Sequence, residues 1–190
     1  NGFISRLRGD GTRVLDAKPT NSFNYATQPI ADLLYGGGAE RIVTSKKAII
    51  ADEELAHQLD GKPGKHWLKI CQHRLDQQSQ QMLVWGNVYI DFRYQDIQAR
   101  IDDYPGFICD LLEEQHGVVI NEIQQVIKPI LLTNKIAKVM DVEQGSLALE
   151  MTRRYLNSRK QPVEISINIF PALRSTHQFT LKRTRQSLGE

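Results

Sequence analysis

The sequence is poor in the features that mark membrane proteins, disulfide-bonded proteins and nucleic-acid-binding domains. No run in the 190-residue chain approaches the roughly 18 apolar residues of a membrane-spanning helix, so we expect no membrane contact. Its two cysteines, Cys71 and Cys109, lack metal-ligand spacing, and we expect both to be buried thiols in a reducing cytoplasm. The N-terminus shows no signal-peptide pattern. A formal net charge of +2 is too small to predict that this chain alone binds nucleic acid.

Motifs of the common enzyme classes are also missing. The five histidines form no His-x-x-x-His pair, and there is no Cys-x-x-Cys motif, so the sequence predicts no metal site. A Gly-x-Ser-x-Gly nucleophile elbow, a P-loop and a dinucleotide fingerprint are absent as well. The run Gly36-Gly37-Gly38 follows a predicted helix, which indicates a helix stop and not a phosphate-binding loop. We therefore expect neither an enzyme nor a cofactor.

The N-terminal part of the sequence predicts three short elements before the first long strand. Apolar edges flank Gly9-Asp10-Gly11, which favours a β-hairpin over residues 3–14. A proline and polar residues favour a linker over residues 15–21. Apolar residues on one face predict a helix over residues 24–34, and a strand is predicted over residues 42–50.

The remaining sequence repeats itself weakly with a shift of 81 residues. Each copy predicts a short helix, a glycine turn, a strand, a polar turn and a second strand. The matched pairs are Leu55 and Ile136, Ala56 and Ala137, Leu59 and Met140, Gly64 and Gly145, Leu68 and Leu149, Ile70 and Met151, Leu75 and Leu156, and Asn87 and Asn168. Two such units should pack together around an approximate two-fold axis, because neither can close a core alone. Chance convergence on a common pattern is the alternative.

A further predicted helix lies between the two units. Residues 108–115 show an amphipathic pattern that ends at Gly117. Together these elements predict an α+β fold with a mostly antiparallel sheet, built from two related helix-plus-hairpin units and flanked by helices.

The last predicted strand carries a stripe of candidate ligand-binding residues. Apolar and polar residues alternate over residues 163–170, so Glu164, Ser166, Asn168 and Phe170 share one face. One interpretation is an antiparallel strand with a solvent-exposed face. The alternative is that Glu164 and its neighbours line a small-ligand pocket between the two units.

The first unit has a comparable face on its first strand. Leu68, Ile70, Gln72 and Arg74 alternate onto one side of that strand. The fork-shaped guanidinium of Arg74 would suit a ligand carboxylate or phosphate.

These segments, taken in order, resemble a known family. Residues 153–166, followed by Pro171 and residues 179–183, are similar to the C-terminal signature of the UTRA domain. That domain is the effector-binding domain of HutC-type regulators in the GntR family. Ser22-Phe23, the strand at residues 67–75 and the helix around Leu111 fall in the family's order and spacing. The resemblance covers roughly residues 20–183, and the ordered set of segments carries it.

The resemblance implies a chorismate-lyase-like fold and a regulatory function. It implies a homodimer of a bacterial transcription repressor, in which a small-molecule effector controls binding to operator DNA. An effector shifts such an equilibrium only through its differential affinity for the two arrangements.

The same resemblance gives a meaning to the N-terminal hairpin. Residues 1–14 are similar to the end of a winged helix-turn-helix domain, residues 15–21 to a linker, and residues 22–185 to the UTRA domain. The DNA-binding candidates in this wing remnant are Arg6, Arg8, Gly9, Gly11 and Thr12. A wing remnant cannot read a major groove alone, so operator binding is expected of an N-terminal domain that this sequence does not include.

The family's ligand-binding positions carry over only in part. The candidate effector-binding residues are Ser22, Gln72, Arg74, Tyr155, Glu164, Ser166, Asn168 and Phe170. Phe170 and Gln72 replace a usual tyrosine and arginine, Phe107 replaces a helix-opening serine, and an acidic position falls near Gly86 or Asn87. Phosphate needs several converging donors, so a less charged, sugar-type or monocarboxylate metabolite fits at least as well.

Two other functions remain open at the level of sequence. A chorismate-lyase-like enzyme of the same fold could recruit Arg74, Arg153 and Arg154 around a dicarboxylate, since fold does not determine function. A dimerisation module without a ligand is the other alternative.

Overall fold

A computed structural model describes residues 41–177, together with the backbone of residues 39–40 and of two N-terminal strands. The two strands belong to one compact unit and residues 39–177 to another. Several predictions lie outside the described residues: the linker over residues 15–21, the helix over residues 24–34, Gly36–Gly38, Arg8, Gly9, Gly11, Ser22 and the side chains of Arg6 and Thr12.

The predicted N-terminal hairpin is confirmed as a pair of strands. Strand β1 (Ile4–Arg6) pairs antiparallel with β2 (Thr12–Val14), with Ile4 opposite Val14 and Arg6 opposite Thr12. The turn that joins them lies outside the described residues.

The larger unit is built on a six-stranded, fully antiparallel sheet in the order β3-β4-β5-β8-β7-β6. The strands are β3 (Ala39–Ile50), β4 (His66–Asp76), β5 (Met82–Asp91), β6 (Ile120–Leu131), β7 (Leu147–Asn157) and β8 (Pro162–Pro171). The α-helices are α1 (Glu53–Gln58), α2 (Ile108–His116) and α3 (Asn134–Val139), and short 3-10 segments follow β5 and β8. This architecture confirms the predicted α+β class, and β3 includes the whole of the strand predicted over residues 42–50.

The two predicted units are structurally equivalent. A shift of 81 residues superimposes the bounds of β3 on β6, α1 on α3 and β4 on β7. The same turn position has left-handed backbone in both units, with φ of 82° at Gly64 and 77° at Gly145. The units meet where β5 pairs with β8, with Gly86 opposite Asn168 and Asn87 opposite Ile167. The sequence repeat therefore describes a real pseudo-symmetry of the sheet.

One face of the sheet is covered by the two equivalent short helices. Ala56 and Leu59 at α1 are buried against Trp67 and Ile165. Their matched residues at α3, Ala137 and Met140, are buried against Ala148 and Ile169. Both helices begin at a capping side chain, Asp52 for α1 and Thr133 for α3.

The opposite face is covered in part by α2, the helix predicted over residues 108–115. Leu111 and Leu112 are fully buried in a cluster with Ile70, Val88 and Ile90. The helix ends, as predicted, at Gly117, whose φ of 62° satisfies the left-handed position that follows a helix.

The two cysteines do not share one environment. Cys109 is buried in α2, as predicted. The expectation of a buried thiol is wrong for Cys71, which is only half-buried in β4, where its Sγ donates to Asn87 Oδ1 at 3.0 Å. None of the described helices is long and apolar enough to cross a membrane.

Candidate functional site

The pairing register places most of the predicted ligand-binding side chains on one face of the sheet. Residues that lie directly opposite each other in an antiparallel sheet project to the same side. Glu164 lies opposite Tyr155, and Ser166 lies opposite Arg153. Gln72 and Asn168 both lie opposite Gly86. We call this the site face, and its polar members are Arg41, Gln72, Arg74, Gln125, Arg153, Tyr155, Glu164, Ser166 and Asn168.

The polar side of β8 is not a solvent-exposed face. Glu164 and Ser166 are each only 4% exposed, and α2 packs on the same face of the sheet. The alternating residues Ile165 and Ile167 are buried on the other face, against α1. The interpretation of β8 as a strand with one wet side is therefore wrong, and both of its faces belong to the interior.

Glu164 is a buried acid whose hydrogen-bonding capacity is incompletely used. Its Oε2 atom has no hydrogen-bond partner among the described residues. Burial raises the pKa of Glu164 to about 8, and the positive charges of Arg41 and Arg153 only partly oppose this rise. At neutral pH the carboxyl therefore holds its proton and can donate a hydrogen bond.

Arg153 is a buried base that the sequence-based site prediction missed. It is 2% exposed, and its Nε donates to Gln125 Oε1 at 2.6 Å. Its Nη2 atom has no hydrogen-bond partner among the described residues. The alternation of β7 was a usable signal, because it places Arg153 on the same side as Tyr155. The adjacent Arg154 projects to the other face, where its Nε donates to the Leu59 carbonyl at 3.4 Å.

Two further arginines lie at the β3 end of the site face. Arg41 lies opposite Arg74, and burial together with the positive charge of Arg74 lowers the pKa of Arg41. The Arg41 guanidinium donates to the Tyr104 carbonyl at 3.3 Å and to the Gly106 carbonyl. Sequence reasoning missed Arg41 because its neighbours in space come from distant parts of the chain.

Gln72 is another residue of the site face whose hydrogen-bonding capacity is incompletely used. It lies on β4 of the site face, opposite Val43 and Gly86. Its side-chain carbonyl Oε1 is buried without a hydrogen-bond partner among the described residues. At the position where the family has an arginine, Gln72 therefore offers a hydrogen-bond acceptor, which a guanidinium lacks.

Phe170 and His177 form an aromatic pair beside the polar residues of the site face. Phe170 is buried against Val84 and Met151, and its ring meets His177 edge-to-face with centroids 4.8 Å apart. Burial and the positive charge of Arg153 lower the pKa of His177. Its Nε2 has no hydrogen-bond partner among the described residues. His177 was also missed by sequence reasoning, since it follows the last strand in an irregular segment.

The structure also locates the positions where the sequence departs from the family pattern. Gly86, and not Asn87, lies on the site face, and a Cβ there would lie 2.6 Å from the Ile167 carbonyl. The space is used by the Asn168 side chain. Phe107 stands at the N-cap of α2, where its backbone N–H donates to Asp110 Oδ2 at 3.2 Å.

Residues 97–176 match the family model of the UTRA domain. Over these residues the chain is similar to a UTRA domain. The match covers α2, the whole second unit and most of the polar members of the site face, and the resemblance inferred from the sequence is confirmed.

Solved structures with the same fold include several regulator domains. The effector domain of PhnF from Mycobacterium smegmatis is 15% identical with a TM-score of 0.65, and the match covers 77% of this chain and 88% of that chain. A structure of PhnF from Mycobacterium smegmatis is 17% identical with a TM-score of 0.67, covering 96% of this chain and 80% of that chain. The C-terminal domain of the histidine utilization repressor from Pseudomonas syringae is 18% identical with a TM-score of 0.64, covering 76% and 99%. A search of curated protein sequences gave no significant match.

At these identities the likeness is one of fold. It confirms that the sheet with its two helix-plus-hairpin units is the chorismate-lyase-like architecture of UTRA domains. No group of three or more histidine, cysteine or acidic side chains within the described residues is arranged to hold a metal ion.

Proposed function

We propose that this chain is the ligand-sensing domain of a bacterial transcription regulator, acting as a repressor, and that a small metabolite binds on the site face. The observation that carries the proposal is the buried Glu164 carboxyl, whose Oε2 is unpartnered within a matched UTRA domain. Native proteins satisfy nearly all buried polar atoms, so an unpaired one in this setting indicates a missing partner. Gln72, Arg153 and His177 add three more such atoms on or beside the same face.

The proposed effector is a small metabolite of carboxylate or sugar type, bound by residues of the site face. The proposed contacts are Gln72, Arg74, Tyr155, Glu164, Ser166, Asn168 and Phe170, now joined by Arg153. Ser22 lies outside the described residues and stays a prediction from the sequence. Phe170 is buried beside these polar residues, and its ring packs edge-to-face on His177.

Regulation requires a second element that responds to the effector. We propose that residues 1–14 are the end of a winged helix-turn-helix domain, with Arg6, Arg8, Gly9, Gly11 and Thr12 in its wing, and that residues 15–21 link it to a UTRA domain of residues 22–185. The paired strands β1 and β2 support the wing. Effector binding in a cytoplasmic homodimer would then change the equilibrium between two arrangements of the DNA-binding domains.

We do not propose an enzymatic activity. A lyase of chorismate-like substrates would need two or more guanidinium groups around a dicarboxylate, and Arg74, Arg153 and Arg154 were the candidates. Arg154 projects to the opposite face of the sheet from Arg153 and contacts the C-terminal end of α1. The fold neighbours described above are regulator domains, which agrees with a sensor.

A thermal-shift screen of metabolites on the purified 190-residue chain tests the sensor proposal. A ligand raises the melting temperature by mass action, and Glu164→Ala should lose most of that rise. Glu150→Ala is the matched control, because Glu150 lies on β7 and projects to the opposite face. A hit with equal shifts in the wild type and Glu164→Ala would remove Glu164 from the site. A screen in which no metabolite distinguishes these proteins would contradict ligand sensing on this face.

A further inference from the structure

Arg153 and Glu164 are buried next to each other, and each has an unpartnered atom. They occupy diagonal positions on β7 and β8, since Arg153 lies opposite Ser166 and Glu164 lies opposite Tyr155. Diagonal neighbours on one face of an antiparallel sheet lie about 7–8 Å apart, within reach of long side chains. Neither Arg153 Nη2 nor Glu164 Oε2 has a hydrogen-bond partner among the described residues. A small group between the two side chains could therefore contact both.

The charges around Glu164 decide which kind of group fits there. The titratable and charged groups that face it are Arg41 on β3, Cys109 and Asp110 on α2, and Arg153 and Tyr155 on β7. Burial and the Glu164 charge raise the pKa values of Cys109 and Tyr155, so both are neutral at neutral pH. Burial also raises the pKa of Glu164, which leaves two guanidinium groups against the single carboxylate of Asp110.

With Arg74 opposite Arg41 on the same face, the surroundings of Glu164 carry an excess of positive charge. A buried anion would reduce this excess, whereas an ammonium group would increase it. A phosphate would need more converging donors than one guanidinium and one O–H group provide. The donors agree with the charge count. Arg153 offers N–H groups and protonated Glu164 offers an O–H, and a carboxylate has two oxygens to accept them.

We propose that Arg153 and Glu164 together bind the carboxylate of a small organic acid. The Arg153 guanidinium donates to one oxygen of the ligand, and the Glu164 carboxyl donates its proton to the other in a shared O–H···O hydrogen bond. No covalent bond forms or breaks, and the proton stays between the two carboxyl groups. The inference rests on the proposed function, because the acid bound here would be the effector.

Acetate, acetamide, methylammonium and inorganic phosphate are the probes that test this assignment on the 190-residue chain. They can be titrated at constant ionic strength while the side-chain Nε–H signal of Arg153 is followed by NMR. We expect acetate to bind and the other three probes not to bind. Acetate affinity should be constant from about pH 6, where acetate is ionised, to about pH 8. Above about pH 8 it should fall by up to tenfold per pH unit, because binding requires the proton on Glu164.

Two variants separate the roles of the two side chains. Arg153→Met should abolish acetate binding, and its matched control Arg154→Met should retain it, because Arg154 projects to the other face. Glu164→Gln should also retain binding, since its amide can donate, but the fall in affinity above about pH 8 should disappear. If Arg153→Met does not fold, Arg153→Lys takes its place in the test. The lysine keeps the charge but lacks the fork-shaped pair of N–H donors, so it should weaken acetate binding.

Several results would overturn the assignment. Acetate that does not bind, or that binds Arg153→Met or Arg153→Lys as tightly as the wild type, would exclude Arg153 from the site. Preferential binding of phosphate, or of methylammonium with affinity rising above pH 8, would show a ligand of different charge. If these failures occur while the metabolite screen still yields a hit that depends on Glu164, the sensor proposal stands and only the carboxylate assignment fails.

Discussion

Replacing Glu164 by glutamine should make the protein more stable at alkaline pH. The folded protein raises the pKa of this carboxyl from 4.5 to about 8 by burying it. Because the folded state binds the proton more tightly, the wild type should lose stability as the pH rises from about 4.5 to about 8. Glu164→Gln keeps the shape and a polar head but cannot ionise, so its stability should not follow that decline.

The magnitude follows from the size of the pKa rise. Each pKa unit corresponds to about 1.4 kcal/mol, so the rise from 4.5 to about 8 corresponds to an upper bound of about 5 kcal/mol. Water that enters around an ionised Glu164 reduces the measured value. Below the unfolded-state pKa both proteins carry a neutral side chain, and we expect their free energies of unfolding to differ by about 1 kcal/mol or less. Above about pH 8 the variant should be the more stable protein by several kcal/mol.

Urea denaturation at a series of pH values measures this difference by linear extrapolation. The pKa values of His73 and His177 are lowered by burial, so both add stability as the pH rises toward 6.5. That contribution is common to the wild type and the variant and cancels in their difference. Glu150→Gln, on the opposite face of β7, should give a curve parallel to the wild type. Parallel curves for the wild type and Glu164→Gln would refute the buried, protonated Glu164.

Two further pairs of substitutions test the fold that supports the site. Gly86→Ala should destabilise the protein by about 1–3 kcal/mol in the same assay, because its Cβ would lie 2.6 Å from the Ile167 carbonyl in the central strand pair. Gly61→Ala, whose nearest neighbour would lie at 3.9 Å, is the control, and equal costs would contradict the close approach of β5 and β8. Asp52→Ala should cost about 1 kcal/mol, because Asp52 Oδ1 accepts from the Leu55 N–H at 2.8 Å. Thr133→Ala should cost less, because the equivalent bond from the Ile136 N–H is 3.5 Å long, and the reverse order would contradict the capping argument.

The internal repeat shows how much of the fold can be predicted from local sequence patterns. The 81-residue shift placed α1, α3, β4 and β7 correctly, and the match of Ala56 with Ala137 identified side chains buried in equivalent clusters. Such matches succeed because helix and strand periodicity record which side of an element faces a core. A left-handed glycine after α2 was predictable on the same local grounds.

The site was predictable only in part, for a reason visible in β8. Alternation placed Glu164, Ser166 and Asn168 on one face, but it could not show what lies over that face. The same alternation of polar and apolar residues is found whether the polar face is exposed to water or covered by a helix from elsewhere in the chain. The position of α2 over this face made Glu164 a buried acid, and so determined its protonation.

Arg153 and Arg154 show what the sequence determines and what only the tertiary structure decides. The sequence by itself determined the strand, its alternation and the duplicated unit to which both arginines belong. The tertiary structure decided which arginine lies beside Glu164 and which contacts α1, because that depends on the register of β7 against β8 and on the elements covering each face. Arg41 shows the same dependence, since it lies far from Glu164 along the chain and acts on its charge through space. Local pattern determines the faces of each strand, whereas burial and charge at the site arise only when distant elements pack together.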